Sequence, residues 1–458
     1  MTIAASQSGV DRDRVRALKN AEDARFAAAH PKSAALLARG RDVMPNGVPM
    51  AWMVGSYHHL PLWVAEGRGA HITDVDGHTY ADFNIADLSM FCGYAPEPLV
   101  RAVSEQIARG NQFLLPTEDA IVVSEELARR FGLPKWQYTS SATHANTEAI
   151  RVARVVTGRE RVLMFDGKYH GHLDEALVEL DDAGELVPEE RGVPADTVRG
   201  TVLVPFNDIA ALERALERRD IALVLTEPAI TNNIGLLLPE DGFHAALRRL
   251  TRETGTLLAY DETHTQVVGA GGLVRQWDLE PEMVTIGKSI AGGLPFGAWG
   301  MTDAIADVLV QRKSPDGERA NLVATGGTIF GNALALAAAR AVMTEILTPE
   351  AYAHTQRLGA RLAAGMRASV AAHGLPWHIH HLGPRSGYTF QPTPIGTAAE
   401  GRAAADDMLT RLIRVWLANR GVWEAIVGAG PVCPIPAQDE DVDAYLAGWD
   451  SLLDALTA

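Results

Sequence analysis

Along the chain, short apolar runs that suit strands alternate with longer stretches whose apolar positions recur at the helical period. Residues 137–139, 162–165, 202–204 and 222–226 read as extended, 121–131, 146–156 and 209–219 as helical, and the alternation continues to Gly300. This predicts an α/β fold with a mostly parallel sheet covered by helices on both faces. Ahead of it, residues 71–83 alternate around Asp76-Gly77, a hairpin signal. The chain starts with a polar amphipathic helix over about 11–41, then a Pro- and Gly-punctuated stretch through Met44-Pro45-Asn46-Gly47. Helices over 332–346 and 349–371 lead into a smaller α+β part with strands near 378–381 and 387–391 and a last helix over 439–456, while Gly317-Glu318-Arg319 reads as a polar loop. The expected division is 1–70 joining a small domain, 71–335 as a large domain, and 336–458 as the C-terminal small domain.

In such sheets, ligand groups gather at the carboxyl ends of the strands. The apolar run Leu257-Leu258-Ala259-Tyr260 leads straight into Asp261-Glu262, and 288 − 261 = 27 residues later a second run ends in Gly287-Lys288. A strand ending in an acid, followed by one ending in a lysine, is the layout of a pyridoxal 5′-phosphate (PLP) site. The lysine forms a Schiff base and the acid keeps the pyridine nitrogen protonated, so that the ring acts as an electron sink. Burial and cofactor charge must depress such a lysine for it to attack at neutral pH, and an aspartate facing a pyridinium is expected to have a lowered pKa.

Other strand ends carry matching chemistry. Ser140-Ser141-Ala142-Thr143-His144 follows a strand and opens a helix, where backbone N–H groups can meet an anion, although Ser and Thr there are also ordinary N-caps. Tyr169-His170-Gly171-His172 ends another strand; the tyrosine can stack on a flat ring, and a metal role for the histidines ranks low because no carboxylate or cysteine stands at ligand spacing. Glu227 sits at the tip of 222–226, where Pro228 ends the strand. Thr325-Gly326-Gly327-Thr328 is a second candidate anion site or a glycine-rich turn into a helix cap.

Composition narrows the partners. A formal charge of −16 disfavours nucleic acid and anionic membranes. Cys92 and Cys433 cannot build a disulfide framework. The N-terminus shows no basic-then-apolar signal pattern and no apolar run reaches membrane length, so the expectation is a cytoplasmic protein.

Taken together, Tyr169-His170-Gly171-His172, Glu227-Pro228, Asp261-Glu262-Thr263, Gly287-Lys288 with Gly292-Gly293, and Gly327-Thr328 with Gly331-Asn332 resemble the class III aminotransferases. These are fold-type-I PLP enzymes that include glutamate-1-semialdehyde aminomutase, and the likeness runs from about Met44 to the C-terminus. It implies that 71–335 binds PLP, that Lys288 carries the cofactor and shuttles a proton, and that Asp261 pairs with the pyridine nitrogen. Tyr169 and Thr263 would lie on opposite faces of the ring, Ser141, Ala142 and Thr143 would hold the phosphate, and His170, Glu227 and His264 would border the cofactor. Thr328 would reach the phosphate of the neighbouring subunit in a homodimer.

The chain departs from the family pattern at His144 and His264 and, more tellingly, at the arginine that clamps a substrate carboxylate. No arginine stands in Val48-Pro49-Met50-Ala51-Trp52-Met53 or in Trp423-Glu424-Ala425-Ile426-Val427-Gly428, which leaves Arg385 as either that clamp or a surface residue. Met50, Trp52, Met53, Tyr57 and Trp423 suggest an aromatic pocket or plain core. The expected activity is transfer of an amino group between an amine or amino acid and a keto acid, with an aminomutase or racemase as the alternative and a catalytically silent relative as a third reading.

Overall fold

A computed structural model describes residues 8–57, 59–181, 183–232, 234–310 and 323–458. The loop expected at Gly317-Glu318-Arg319 and the side chain of Tyr57 lie outside the described residues.

A seven-stranded sheet runs in the order Lys135–Thr139, Gly297–Met301, Met283–Ile286, Leu257–Asp261, Ile221–Thr226, Arg161–Phe165, Thr201–Val204. All neighbours pair in parallel except Gly297–Met301, which runs against both of its partners. Every residue of Ile221–Thr226 is buried, as both-face coverage demands of a central parallel strand. The helix Ala142–Thr157 covers one face; Ser141 caps its start by accepting the His144 N–H at 3.3 Å, and Gly158, left-handed at φ 67°, ends it. Its buried Ala145, Ala149, Ile150 and Val152 let the backbone lie close to the strands.

The predicted N-terminal helix is two helices, Arg12–Ala29 and Pro31–Gly40. Pro31 has no N–H to continue the first ladder and suits the opening of the second. The hairpin forms as expected from His71–Asp74 and Thr79–Asp82. It shares a four-stranded sheet with Val64–Arg68 and with Val422–Trp423, which pairs in parallel with Ala81 and Asp82. Residues on both sides of the large sheet's sequence therefore meet in one core, where Val15, Phe83, Leu362, Leu412, Tyr445 and Trp449 pack together. The helix expected over 332–346 is α-helical only over Ala333–Ala341 and continues as a π turn over Val342–Ile346.

Candidate active site

The carboxyl ends of the parallel strands open into a cavity of about 290 Å³, lined by Asp87, Ser141 to Thr143, Tyr169 to Gly171, Glu227, Asp261, Thr263, His264 and Lys288, among others. Ten of the residues that sequence reasoning selected therefore share one chamber although they are spread over nearly 150 positions.

At its floor, Asp261 is buried and fully engaged. Its Oδ2 accepts from Asn146 Nδ2 at 2.9 Å and His170 Nδ1 at 3.0 Å, and Oδ1 accepts from the Thr263 N–H at 3.0 Å. Asn146 is itself pinned, donating to the His170 carbonyl at 2.8 Å and accepting from Thr285 Oγ1 at 2.6 Å. Burial works against the Asp261 charge, but His170, Thr263 and Asn146 hold the carboxyl below the usual range. It is a fixed anion.

Lys288 follows its strand in the left-handed region at φ 53°. Its Nζ contacts Asp87 Oδ2 and lies 2.6 Å from His264 Nε2. His264 Nδ1 donates to the Thr231 carbonyl at 3.0 Å, which leaves the Nε2 lone pair facing the amine. Burial and then Lys288 push the His264 pKa down, so this imidazole is neutral.

Asp87 gave no signal in the sequence. It sits in Ile85-Ala86-Asp87-Leu88, four consecutive non-glycine residues with φ of 44°, 48°, 51° and 72°. Left-handed backbone costs L-residues roughly 1–2 kcal/mol each, and such strain persists only where the surroundings impose it. Here Asp82 Oδ1 accepts from the N–H groups of Asn84 and Ile85 at 2.8 and 2.9 Å, and the Ile85, Leu88 and Phe91 side chains are buried in the core.

Glycines bring backbone close at the anion end. A methyl on Gly287 would stand 2.9 Å from the Ala142 nitrogen, and one on Gly171 would overlap Thr143 Oγ1. Thr143 Oγ1 accepts from the His172 N–H at 3.2 Å, and His144 leans out of the cavity towards Phe330, with ring centroids 5.2 Å apart. The opening of the helix Ala142–Thr157 thus presents amides and a hydroxyl to an anion.

Several buried polar atoms around this chamber lack partners within the described residues: His170 Nε2, Thr263 Oγ1, Glu227 Oε1, Asp87 Oδ1 and Arg385 Nη2. Buried polar groups are normally satisfied, so a concentration of unsatisfied ones marks where a polar ligand fits. Tyr169, Thr263, Ala142 and Thr143 line the same chamber, a residue set that fits PLP. Glu227 Oε2 accepts from Thr231 Oγ1 at 2.6 Å, and burial pushes the carboxyl up to about 7.

The expected substrate residues divide. Arg385 is 2% exposed, which removes the surface reading: Nη1 donates to the Gly430 carbonyl at 3.0 Å, and burial lowers its pKa to about 10 against the pull of Asp87 and Glu227. Trp423 belongs to the core, edge-on to Tyr80 with ring centroids 5.8 Å apart, because its strand is bound into the small sheet. Trp52 opens the helix Trp52–Tyr57 and is half exposed; neither tryptophan lines the cavity, and Arg385 lies behind its lining rather than in it. Thr328 is exposed outside the cavity, its carbonyl accepting from Gln112 Nε2. His30, Asp74 and His78 group metal-type ligands elsewhere, but Asp74 Oδ2 already accepts from Tyr80 OH at 3.0 Å and lies 3.1 Å from both rings, and His30 Nε2 pairs with Tyr80 OH at 2.7 Å, which ties the hairpin turn to the first helix.

Residues 53–400 match the family profile Aminotransferase class-III. The chain belongs to the class III aminotransferases. Members of this family are PLP enzymes, and the relatives sharpen the placement. A glutamate-1-semialdehyde 2,1-aminomutase of Anaeromyxobacter sp. (strain Fw109-5) is 36% identical over 378 residues, 81% of this chain and 86% of that enzyme. The crystal structure of a glutamate-1-semialdehyde-aminomutase from Pseudomonas aeruginosa PAO1 superposes with a TM-score of 0.93 at 40% identity, covering 98% of this chain and all of that one, and a lysine-to-alanine variant of it was solved in complex with PMP. An omega-transaminase from Sphaerobacter thermophilus follows at TM-score 0.84 and 29% identity, covering 93% of this chain and 98% of that one. The class III fold and the PLP dependence expected from the sequence hold, and the chain is an enzyme of this PLP family. No helix among the described residues is long and apolar enough to cross a membrane.

Proposed function

We propose that this class III enzyme is an aminomutase, which moves an amino group between neighbouring carbons of one substrate. Sequence reading alone put transamination first and mutase chemistry second; near-full-length similarity to enzymes named glutamate-1-semialdehyde aminomutase supports the reverse order. The observation that carries the catalytic part is the Lys288 amine held at the cavity floor together with an anchored Asp261.

PLP supplies an electron sink for the carbon that loses its proton. The protein's residues do the rest. Lys288 Nζ anchors the cofactor and moves the proton at the substrate carbon. Asp261, locked by Asn146 and His170, keeps a negative charge at the ring nitrogen. Tyr169 and Thr263 would hold the ring, and Ser141, Ala142 and Thr143 would hold the phosphate. Arg385, a buried cation with an unpaired Nη2, is the group suited to a substrate carboxylate. The exposed apolar side chains Phe113, Leu114, Leu115 and Ile329, close to Thr328 through Gln112, support a homodimer in which the partner subunit's Thr328 completes the phosphate site. Residues 71–335 then form the PLP-binding domain, with the ends of the chain in the small one.

Glutamate-1-semialdehyde, supplied alone to the PLP-loaded enzyme, should convert to the isomer with its amino group on the neighbouring carbon, without any keto acid. A protein that instead stalls after one turnover and resumes on adding pyruvate or 2-oxoglutarate is a transaminase; the similarity to an omega-transaminase keeps that second reading in play. Lys288→Ala should abolish both activities and leave the fold intact.

A further inference from the structure

We propose that Asp87 is the counter-ion of the Lys288 nitrogen and that His264 is the second acceptor that aims it. The inference rests on Lys288 being the cofactor-bearing residue. Three observations converge. Asp87 Oδ2 is in contact with Nζ, while Asp87 Oδ1 is buried without a partner, so the carboxylate is directed at the amine rather than absorbed in a network. His264 Nε2 stands 2.6 Å from the same nitrogen with its lone pair forward. Finally, Asp87 is delivered by a run of four left-handed residues that Asp82 and the core hold in place. A shape with an intrinsic cost that presents one carboxylate to one reacting nitrogen is what a functional constraint looks like.

A free amine has two N–H bonds and one lone pair. With one hydrogen on Asp87 and one on His264, the lone pair is left to face the remaining open side, which is the cavity. With the cofactor in place, the Asp87 carboxylate would still stand beside that nitrogen and would favour a positive charge on it. Asp87 makes or breaks no covalent bond. The groups facing this nitrogen are Asp87 and His264, with Arg385, Tyr169, Glu227 and the Asp261–His170 pair around the chamber. Burial opposes the Asp87 charge, but Lys288 in contact holds the carboxyl well below its usual range, which is the state a counter-ion requires.

The test is a pH titration of the cofactor's visible band in the loaded protein, wild type against Asp87→Asn, Asp87→Gly and His264→Gln. Losing an opposite charge in contact moves such an equilibrium by about one to three pH units, so both Asp87 variants should change form at a pH lower by that amount. His264→Gln exchanges one neutral acceptor for another and should shift the midpoint far less. Asn and Gly both tolerate the left-handed backbone at position 87, so at least one variant folds. Midpoints that match wild type in both Asp87 variants overturn the proposal, as does a His264→Gln shift equal to theirs. Borohydride trapping with peptide mapping on the same samples separates the failures: a label away from Lys288 sinks the cofactor assignment itself, while a label on Lys288 with unmoved midpoints sinks only the counter-ion.

Discussion

Gly171→Ala should weaken PLP binding through a residue that carries no functional group. Gly171 sits at φ 93°, a conformation that L-residues rarely adopt, and an added methyl would overlap Thr143 Oγ1, with Thr143 Cβ and Cα only 2.9 and 3.0 Å away. Thr143 opens the helix Ala142–Thr157, so it cannot retreat without moving the backbone amides of the anion site or giving up its bond from the His172 N–H. A hydroxyl bond to a charged phosphate, the role proposed for Thr143, is worth about 1.5–3 kcal/mol, which translates into roughly a 10- to 150-fold rise in the dissociation constant. Thr143→Ala removes the same bond directly, so the two changes share one interaction. In a double-mutant cycle read by spectral titration of apoenzyme with PLP, Gly171→Ala should cost clearly less affinity on the Thr143→Ala background than on wild type. Strict additivity would mean that the glycine acts elsewhere. Unchanged affinity in Gly171→Ala would refute the close-approach argument, and unchanged affinity in Thr143→Ala would remove Thr143 from the phosphate site.

Ala86→Gly should stabilise the protein by about 0.5–1 kcal/mol, because relief of a left-handed alanine (roughly 1–2 kcal/mol) outweighs the added unfolded-state entropy, and Ala86 is exposed at φ 48°; equal or lower stability in urea unfolding would show that the segment is not strained. Glu424 is buried and its pKa is pushed from 4.5 to about 7. The native state therefore holds this proton more tightly than the unfolded chain does, and stability attributable to it falls as pH rises from about 4.5 through 7. Glu424→Gln stays neutral, so its stability relative to wild type should climb between pH 5 and 8 by up to on the order of 3 kcal/mol, and a pH-independent difference in denaturant unfolding would contradict this. Arg385→Gln should lower kcat/KM for a carboxylate-bearing substrate roughly 10- to 150-fold and much less for an amine without one; equal losses on both would make Arg385 a structural cation.

What could be read in the sequence and what could not follows from the range of the forces involved. The sheet and the strand-end residues Asp261, Lys288, Glu227 and Tyr169 were legible because apolar period and turn position are local properties, and a parallel sheet places its strand ends together whatever lies between. Trp423 failed for the opposite reason: an aromatic near the end of the chain looks the same in a pocket wall and in a core, and only its pairing with Ala81 and Asp82 decides. Arg385 could not be placed because burial of a lone cation depends on acids far away in sequence, Asp87 and Glu227. Asp87 was silent on every local measure, since Ile85-Ala86-Asp87-Leu88 has neither strand nor helix period and no glycine to announce its left-handed path. A left-handed turn without glycine is not written into its own residues; the core around Ile85 and Leu88 and the carboxylate of Asp82 impose it. Its local sequence and its tertiary setting therefore disagree, and in minimally frustrated chains such disagreement concentrates where function demands it. The place where reading the sequence stopped is thus the place where the chain holds a carboxylate against the Lys288 nitrogen.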